Sequence, residues 1–470
     1  MKFNAVMAVL GIAAFSLEAA DIGQVIVRQQ WPWSTDVKVE YTLSNVTEPV
    51  DVKVRVFNGE IEADAAKVEA AVSGSRYALT DGNTYALTIN PAGLFDTSAY
   101  ALSDFKVKLS AVKAEASTEV LYKIVNLEAP YDVEDVTWGR LMNGSLGDVA
   151  MKFTDLDETF QAPVAGTLSR QEEIIWTGVT NDVKYKSTHM VLRKIPAKGK
   201  SFKFNNVCNV TFTNDFYIGV FEVTQAQFLK TCSHPHISTT DPLGFNETNK
   251  LYSAYRPANR ISFGKSDSNT LRGKTHGNLW PEGDHTTVDA NSYFGKLQSR
   301  TKLVFDLPTE AMWEYACRGG TKNYEIYTGN NSSDAQAQKI MRASGINNSV
   351  AYSNPTSFHN TAPKDCDLSQ GPAWVGSYLP NAYGLYDMLG NLWEVCLDRI
   401  GTITADDKFD PRGPATSYNS NVQDRVVRGG AYGFSRSLTL CTRRESVSVS
   451  EPYRQVGFRV CLYPDFKVAE

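Results

Sequence analysis

At 470 residues the chain is too long for a single ordinary hydrophobic core, so two or three domains are expected. Its 42% hydrophobic, 11% aromatic and 21% charged residues are typical of a soluble globular protein and exclude general disorder and a membrane bundle. The 47 basic and 52 acidic side chains leave no excess positive charge for nucleic-acid phosphates. We therefore expect no nucleic-acid partner.

The first twenty residues have the pattern of an export signal. Lys2 precedes an apolar stretch over residues 5–17, and the small residues Ala19 and Ala20 follow it. The stretch is shorter than the ~20 residues that span a bilayer, and no later segment is long and uncharged enough to do so. We predict a signal peptide over residues 1–20 and an exported protein, periplasmic or extracellular, that does not span the membrane. The alternative is a buried N-terminal helix.

Residues 21–127 alternate apolar and polar side chains with a period of two. This alternation predicts half-buried strands at Val37, Val39 and Tyr41, at Val52, Val54 and Val56, at Tyr85, Leu87 and Ile89, and at Val107 and Leu109. Turn signals separate these strands at Asn58-Gly59, Asp81-Gly82 and Asn90-Pro91. Short strands at this spacing indicate an all-β, immunoglobulin-like sandwich. Residues 61–72, rich in Ala and Glu, predict one helical interruption.

Two segments of the first half carry weaker signals. Trp31 and Trp33 flank a proline, which suits either a sugar-stacking platform or packing, and packing is the favoured interpretation. Residues 128–185 show weak periodicity with recurring Gly, Asp and Thr, and only short strands such as 172–176 stand out. We predict that 128–185 is a connector with a few short strands.

The second half has more aromatic residues and longer loops. Residues 190–196 and 216–223 predict strands, and the second runs into a helix. Thr224 and Gln227 have the spacing of a capping box at that helix start. Residues 307–316 predict the start of a further helix, with a proline and acidic residues near its beginning and its end at Arg318-Gly319-Gly320.

Four ordered blocks in this half have a known counterpart. They are FYIGVFEVTQAQF (216–228), LPTEAMWEYACRGG (307–320), GSYLPNAYGLYDMLGNLWE (376–394), and Arg428-Gly429-Gly430 with Gly457-Phe458-Arg459. In order and spacing they resemble the formylglycine-generating enzyme, or sulfatase-modifying factor, family. The resemblance implies that residues 186–465 form an irregular, loop-rich α+β domain related to C-type lectins.

The third block suggests a calcium site. Its glycines permit tight turns that bring Asp387 and Glu394 near one another, and carboxylates with backbone carbonyls suit calcium. The resemblance implies that Asp387, the carbonyls of Gly390 and Leu392, and Glu394 bind calcium. The alternative is carboxylates satisfied by backbone amides. A second family calcium site would fall within residues 347–365, where no ligand can be named.

The family's oxidase chemistry depends on two cysteines five residues apart, shortly after the Gly-Gly, which hold copper(I). An ungapped match places Phe434 and Thr439 at these positions, and a shift of two residues brings only Cys441 to the second one. We therefore expect neither copper binding nor formylglycine formation, and no catalytic residue is assigned. The resemblance implies a groove lined by Phe434, Ser435, Thr439 and Cys441 that binds a peptide, protein or glycan. The alternative is a metal-dependent oxidase of this family.

All seven cysteines lie in the second half. Export permits disulfides, the odd count leaves at least one thiol unpaired within the chain, and Cys441 with Cys461 is one candidate pairing. The alternative is mostly buried thiols. Cys232, His234 and His236 alternate as metal ligands on an extended segment would, although a loop with solvated histidines is favoured.

Overall fold

The computed structural model divides into two compact units. The first comprises the described parts of residues 20–121, 136–151 and 174–179, and the second those of 122–135 and 180–468. The described residues are 20–29, 34–80, 82–95, 104–114, 116–144, 146–147, 149–151, 174–232, 254–264, 270–274, 279–320, 334–343, 346, 372–416, 424–450, 453 and 455–468. Residues 1–19 of the predicted signal peptide, Trp31, Trp33, His234, His236 and residues 347–365 lie outside them.

The described chain contains many short strands and few helices. The strands are β1 (Asp21–Gln29), β2 (Val37–Ser44), β3 (Val50–Asn58), β4 (Ile61–Glu62), β5 (Val72–Gly74), β6 (Thr84–Ile89), β7 (Phe105–Lys113), β8 (Val120–Asn126), β9 (Val133–Thr137), β10 (Val149–Met151), β11 (Ile174–Trp176), β12 (His189–Ile195), β13 (Ser201–Phe204), β14 (Cys208–Thr211), β15 (Phe216–Gly219), β16 (Phe305–Asp306), β17 (Trp393–Arg399), β18 (Lys408–Phe409), β19 (Arg425–Arg428), β20 (Glu445–Val447), β21 (Val456–Gly457) and β22 (Cys461–Leu462). The helices are α1 (Ala65–Ala71), α2 (Trp138–Met142), α3 (Gln225–Thr231), α4 (Tyr293–Thr301), α5 (Glu310–Cys317) and α6 (Asp334–Ile340).

The first unit contains two antiparallel sheets, β1-β2-β6-β5 and β4-β3-β7, which share one apolar core. The core residues Val39 and Leu87 are paired across the first sheet, and Val52 and Val107 come from the second. All four predicted strands are confirmed as β2, β3, β6 and β7. The predicted helix is confirmed as the shorter α1, whose first amides Asp64 caps. The immunoglobulin-like topology stays a prediction.

The predicted connector contributes to both units. Residues 128–135 and 180–185 belong to the second unit, and residues 136–151 and 174–179 belong to the first. The short strand predicted at 172–176 is seen as β11, which pairs antiparallel with β10. The predicted domain boundaries at 127 and 185 stay predictions.

The described part of the second unit contains sheets of six, four and three strands. Their strand orders are β16-β22-β15-β12-β8-β9, β20-β19-β17-β21 and β13-β14-β18. Strand β12 lies between β8 and β15 and runs antiparallel to both. Strand β17 pairs antiparallel with β19 and parallel with β21, so the third sequence block lies between the two parts of the fourth. Several small sheets with few helices agree with the predicted irregular α+β architecture.

Local sequence signals of the second unit are confirmed with small shifts. The capping box forms as predicted, with Gln227 N donating to Thr224 Oγ1 at 3.1 Å and Thr224 N donating to Gln227 Oε1 at 3.0 Å. The strand predicted over 216–223 ends at Gly219; beyond it the Val220 amide still bonds to Val191 of β12, whereas the Val223 amide bonds to the Phe458 carbonyl. Helix α5 starts after its cap Thr309, so the predicted proline lies just outside the helix.

Candidate functional site

The third block forms a buried turn that leads into β17. Asp387, Gly390 and Asn391 all have left-handed backbone angles, with φ of 57°, 78° and 60°. A Cβ at position 390 would lie 2.3 Å from the carbonyl oxygen of Arg342, so only glycine fits there. This turn places Asp387 and Glu394 in the interior, each about 1% exposed.

Glu394 accepts hydrogen bonds on both carboxylate oxygens. The Arg459 guanidinium donates to Oε1 at 2.6 Å and to Oε2 at 2.7 Å, and the Trp313 indole donates to Oε2 at 2.7 Å. The same guanidinium donates to the Gly219 carbonyl at 2.8 Å and to the Tyr386 carbonyl at 2.9 Å. Arg459 therefore joins β15, the third block and the C-terminal block around one buried ion pair.

Asp387 has one engaged and one free carboxylate oxygen. Oδ2 accepts the Gly376 amide at 2.6 Å, whereas Oδ1 is buried and accepts no hydrogen bond from any described residue. Burial raises the pKa of Asp387 to about 6, although the Arg459 and Lys186 charges oppose the shift. Burial likewise lowers the pKa of Lys186 to about 8, and its ammonium lies 5.6 Å from the Phe221 ring centroid.

Glu222 is a third buried carboxylate in this neighbourhood. It accepts the Asn391 side-chain amide at 2.5 Å and the Leu392 backbone amide at 3.2 Å. Burial first, and then the Glu394 and Asp387 carboxylates, raise the pKa of Glu222 well above its usual value. Three acidic groups thus lie near Arg459, and burial favours the protonated form of two of them, Glu222 and Asp387.

These contacts fit the predicted calcium site in part. The free Oδ1 of Asp387 is the kind of hard oxygen that calcium accepts. The Glu394 carboxylate, in contrast, is already occupied by Arg459 and Trp313, so a calcium ion would have to displace a guanidinium. Calcium binding by Asp387, Gly390, Leu392 and Glu394 stays a prediction, and the observed contacts favour Asp387 as the available ligand.

The segment predicted to line a groove, residues 434–441, follows the Gly429-Gly430 turn and is called the groove segment. Phe434 is half-buried and meets the Trp393 ring edge to face, with centroids 5.5 Å apart. Ser435 is exposed, and its carbonyl accepts the hydroxyl of the buried Thr439 at 3.2 Å. The structure therefore joins Ser435 and Thr439 by a local hydrogen bond, whereas the Phe434 ring packs against Trp393.

Thr439 is held in place by the turn that precedes it. A Cβ at Gly430 would lie 2.6 Å from Thr439 Oγ1 and 2.9 Å from Thr439 Cα, and Gly430 has φ of 81°. Thr439, the residue predicted to stand at the second cysteine position, is therefore fully buried. The Cys441 side chain is also fully buried, and its Sγ lies 3.3 Å from Cys317 Sγ.

Several residues of the site carried no assigned role in the sequence, although its blocks contain them. Glu222 and Arg459 each lie within an apolar run of their block, where a lone charge is costly to bury without a partner. Two such charges of opposite sign indicate a buried ionic cluster. Trp313 and Cys317 lie on helix α5, where amphipathic spacing predicts burial but not a partner.

The other candidate metal ligands give no site among the described residues. Cys232 is buried at the C-terminal cap of α3, and its histidine neighbours lie outside the described chain. In the part of the chain that is described, no group of three or more His, Cys, Asp and Glu side chains is arranged to hold a metal. No described helix combines the length and apolarity needed to cross a membrane.

The fold and site together define the class of the second unit as a domain of the formylglycine-generating-enzyme type. Residues 187–463 match the family described as Sulfatase-modifying factor enzyme 1-like domain. The match covers more than half of the chain, and the chain belongs to this family.

Similar proteins include enzymes and a relative named as inactive. The Formylglycine-generating enzyme of Mus musculus is 32% identical over 158 residues, covering 33% of this chain and 38% of the mouse protein. The Inactive C-alpha-formylglycine-generating enzyme 2 of Bos taurus is 33% identical over 160 residues, covering 33% of this chain and 42% of that protein. Treponema denticola variable protein 1, a solved structure, is 20% identical with a TM-score of 0.40, covering 59% of this chain and 96% of its own. The matches thus span less than half of the two mammalian relatives.

Proposed function

We propose that this protein is an exported, non-catalytic member of the family that binds a peptide, protein or glycan in the groove beside residues 434–441. The observation that carries the proposal is the identity of two residues. Phe434 and Thr439 occupy the positions that the resemblance assigns to the copper-binding cysteine pair. Neither side chain can bind copper(I) as a thiolate does.

The contacts of the groove segment support this proposal. The Thr439 hydroxyl is buried and donates to a backbone carbonyl, so it is not presented to a substrate. The nearest thiol in the segment, Cys441, is buried against Cys317. The similarity to a Bos taurus protein named as an inactive formylglycine-generating enzyme also supports loss of activity.

The one aromatic side chain at the start of the groove segment favours an apolar or sugar-ring ligand. Phe434 is half-buried and packs edge to face against the buried Trp393, which holds the Phe434 ring in place. Aromatic rings bind apolar side chains and the flat faces of sugars, and a half-buried Phe has surface left for such contact. Calcium as a structural cofactor is part of the proposal, supported by the resemblance and by the free Asp387 Oδ1.

Catalysis is tested with the full chain, copper(I) and a cysteine-containing sulfatase peptide. We expect no formylglycine in the peptide by mass spectrometry, while a relative that retains the cysteine pair converts the same peptide. Conversion above the copper-only blank would overturn the proposal in favour of the alternative, a metal-dependent oxidase.

Binding is tested on a glycan array and a library of extended peptides. We expect Phe434→Ala to weaken the best hit about tenfold or more, because the exposed part of a Phe contributes on the order of 1.5 kcal/mol when a ligand buries it. Phe409→Ala is the matched control, since Phe409 is exposed but lies in β18. Equal losses in both variants, or no hit for the wild type, would contradict a ligand in this groove.

A further inference from the structure

We propose that one edge of the Arg425 guanidinium binds a small oxyanion, such as sulfate or phosphate, in the interior of the second unit. Arg425 is the first residue of β19, and its side chain is completely buried. Its Nη1 donates to the Leu397 carbonyl at 2.7 Å and to the Trp280 carbonyl at 3.3 Å. Its Nε and Nη2 are also buried, and neither donates a hydrogen bond to any described residue.

The two unpaired nitrogens form the edge of the guanidinium that recognises oxyanions. The N–H groups of Nε and Nη2 point in nearly the same direction, and two oxygens of a carboxylate, sulfate or phosphate match this spacing. The Phe263 ring lies against the face of the group, with its centroid 4.5 Å from the guanidinium carbon. Because this ring covers a face and not an edge, it leaves the plane of the guanidinium to the ligand.

Arg425 lacks the carboxylate partner that other buried arginines of this unit have. Arg459 pairs with Glu394 at 2.6 Å, and Arg428 pairs with Glu310 at 3.1 Å. Among the described residues, Arg425 donates only to the two backbone carbonyls. A buried cation without a charged partner is costly, so an anion on the unpaired edge supplies what the other two arginines obtain from glutamates.

The charges around Arg425 also favour an anion. Burial first, and then the Arg399 and Arg272 charges, lower the pKa of Arg425 to about 9, so the group stays protonated near neutral pH. Asp398 and Glu282 oppose the shift. Burial raises the pKa of Asp398 to about 7, however, and the Glu282 side chain is 56% exposed. Neither acid therefore compensates Arg425 fully.

Arg272 carries a further buried donor without a partner. Its Nη2 donates to two loop carbonyls and its Nε lies 3.1 Å from Asp306 Oδ1, whereas its Nη1 donates to no described residue. The Arg272 guanidinium lies 5.7 Å from the Trp280 ring centroid, and the carbonyl of the same tryptophan accepts from Arg425. Two arginines with unpaired donors thus meet at Trp280, and the charge of Arg272 adds to the attraction for an anion.

A buried water is a poorer explanation of the unpaired edge. A water can accept hydrogen bonds from the N–H groups, but it carries no charge and leaves the buried guanidinium uncompensated. An oxyanion accepts the same hydrogen bonds and balances the charge. The proposal does not depend on the groove ligand, because Arg425 lies outside the groove segment in sequence and its contacts do not involve that segment.

The first test measures the anion content and the melting temperature of the full chain. Ion chromatography after denaturation detects a sulfate or phosphate that purifies with the protein, and sodium sulfate or phosphate is then titrated from micromolar to low millimolar at constant ionic strength. We expect either about one oxyanion released per chain or a melting temperature that rises and levels off, as binding to one site requires. No released anion together with an unchanged or a non-saturating melting temperature would overturn the proposal, because general salt effects do not saturate.

A matched pair of variants locates the site. Arg425→Lys keeps the charge but removes the two-pronged edge, so the half-saturating sulfate concentration should rise about tenfold or more. Arg318→Lys is the control, because Arg318 is equally buried and already pairs with Glu314 at 2.8 Å. It should keep the response of the wild type. The same response in both variants would contradict binding at Arg425.

Crystals of the wild-type chain grown with selenate supply a readout that does not require a folded variant. Selenate has the shape and charge of sulfate, and its selenium is located by anomalous scattering. We expect a peak beside Nε and Nη2 of Arg425. Selenium peaks on the protein surface only would show adventitious ions only and would overturn the proposal.

Discussion

Arg459 and Glu394 form a bidentate ion pair in the interior of the second unit, at 2.6 and 2.7 Å. Both side chains are at most 1% exposed. Such a pair contributes little net stability when it is complete, but either partner alone is a buried, uncompensated charge. Replacing either Arg459 or Glu394 alone should therefore destabilise the second unit.

Arg459→Met should destabilise the second unit by about 3–5 kcal/mol, because Glu394 would remain buried without its cation. Urea unfolding measures the loss, with the transition of the second unit identified by hydrogen exchange. Lys230→Met is the control, because Lys230 pairs with Glu128 on the surface of the same unit. It should leave the transition unchanged, and similar losses in the two variants would contradict the importance of burial.

The Gly430 turn should be intolerant of a side chain. Gly430→Ala adds a left-handed strain of about 1 kcal/mol and a clash with Thr439 that costs roughly 1–3 kcal/mol more. Gly199→Ala separates the two effects, because Gly199 has φ of 70° but no atom near its missing Cβ. The difference between the two variants in unfolding free energy measures the clash. Equal destabilisation by the two variants would show that the groove segment shifts to accommodate the added methyl group without a loss of free energy.

Asp398 predicts a pH dependence of stability. It is buried and accepts the Glu310 amide at 2.7 Å, and burial raises the pKa of Asp398 to about 7. A raised pKa in the folded state gives stability that is complete below about pH 4 and is lost as pH rises through 7. Asp398→Asn should remove up to about 1.4 kcal/mol of this loss per pH unit.

Asp284 is the control for this titration, because its pKa is shifted in the opposite direction. Hydrogen bonds from Thr286 and Thr287 outweigh partial burial and lower the pKa of Asp284. It is therefore ionised in both states above about pH 5, and Asp284→Asn should run parallel to the wild type from there to pH 8. Urea unfolding at pH 4 to 8 checks both variants. A parallel curve for Asp398→Asn would mean that Asp398 does not titrate in that range.

Calcium should stabilise the second unit if the ion binds at Asp387. Binding would add about 2.7 kcal/mol at a calcium concentration a hundredfold above the dissociation constant. Thermal melting in calcium and in chelator measures the shift. Asp387→Asn should abolish it, whereas Asp398→Asn, which also removes a buried carboxylate, should retain it. An unchanged melting temperature of the wild type would contradict calcium binding. The Arg459 guanidinium would then be the cation that balances these carboxylates.

Local features of the fold could be predicted where one signal dominates. Strands β2 and β6 follow strict alternation, and the capping box of α3 depends on two residues three apart. The strand prediction extends past the end of β15 because residues 220–223 are as apolar as a strand, although the Val223 amide bonds to Phe458 and not to β12. Apolar periodicity predicts that a segment is buried, but it does not show which residues its backbone amides bond to.

Only contacts between residues of the same sequence block could be predicted for the site. The sequence indicates that Asp387 and Glu394 are close, but the partner of Glu394 lies 65 positions further along the chain. A charged residue in an apolar run predicts a partner without saying which one. The same limit applies to Cys441, whose contact with Cys317 depends on the packing of α5.

The contacts of Arg459 also bear on the order in which the second unit folds. Its guanidinium reaches the Gly219 carbonyl, 240 positions earlier, and β22 lies between β15 and β16 in the largest sheet. During synthesis, Glu222 and Glu394 leave the ribosome well before their cation. Contacts so distant in sequence slow folding, because the loop between them must close first. The second unit should therefore complete its core only after synthesis has passed Arg459, whereas the first unit is free to fold earlier.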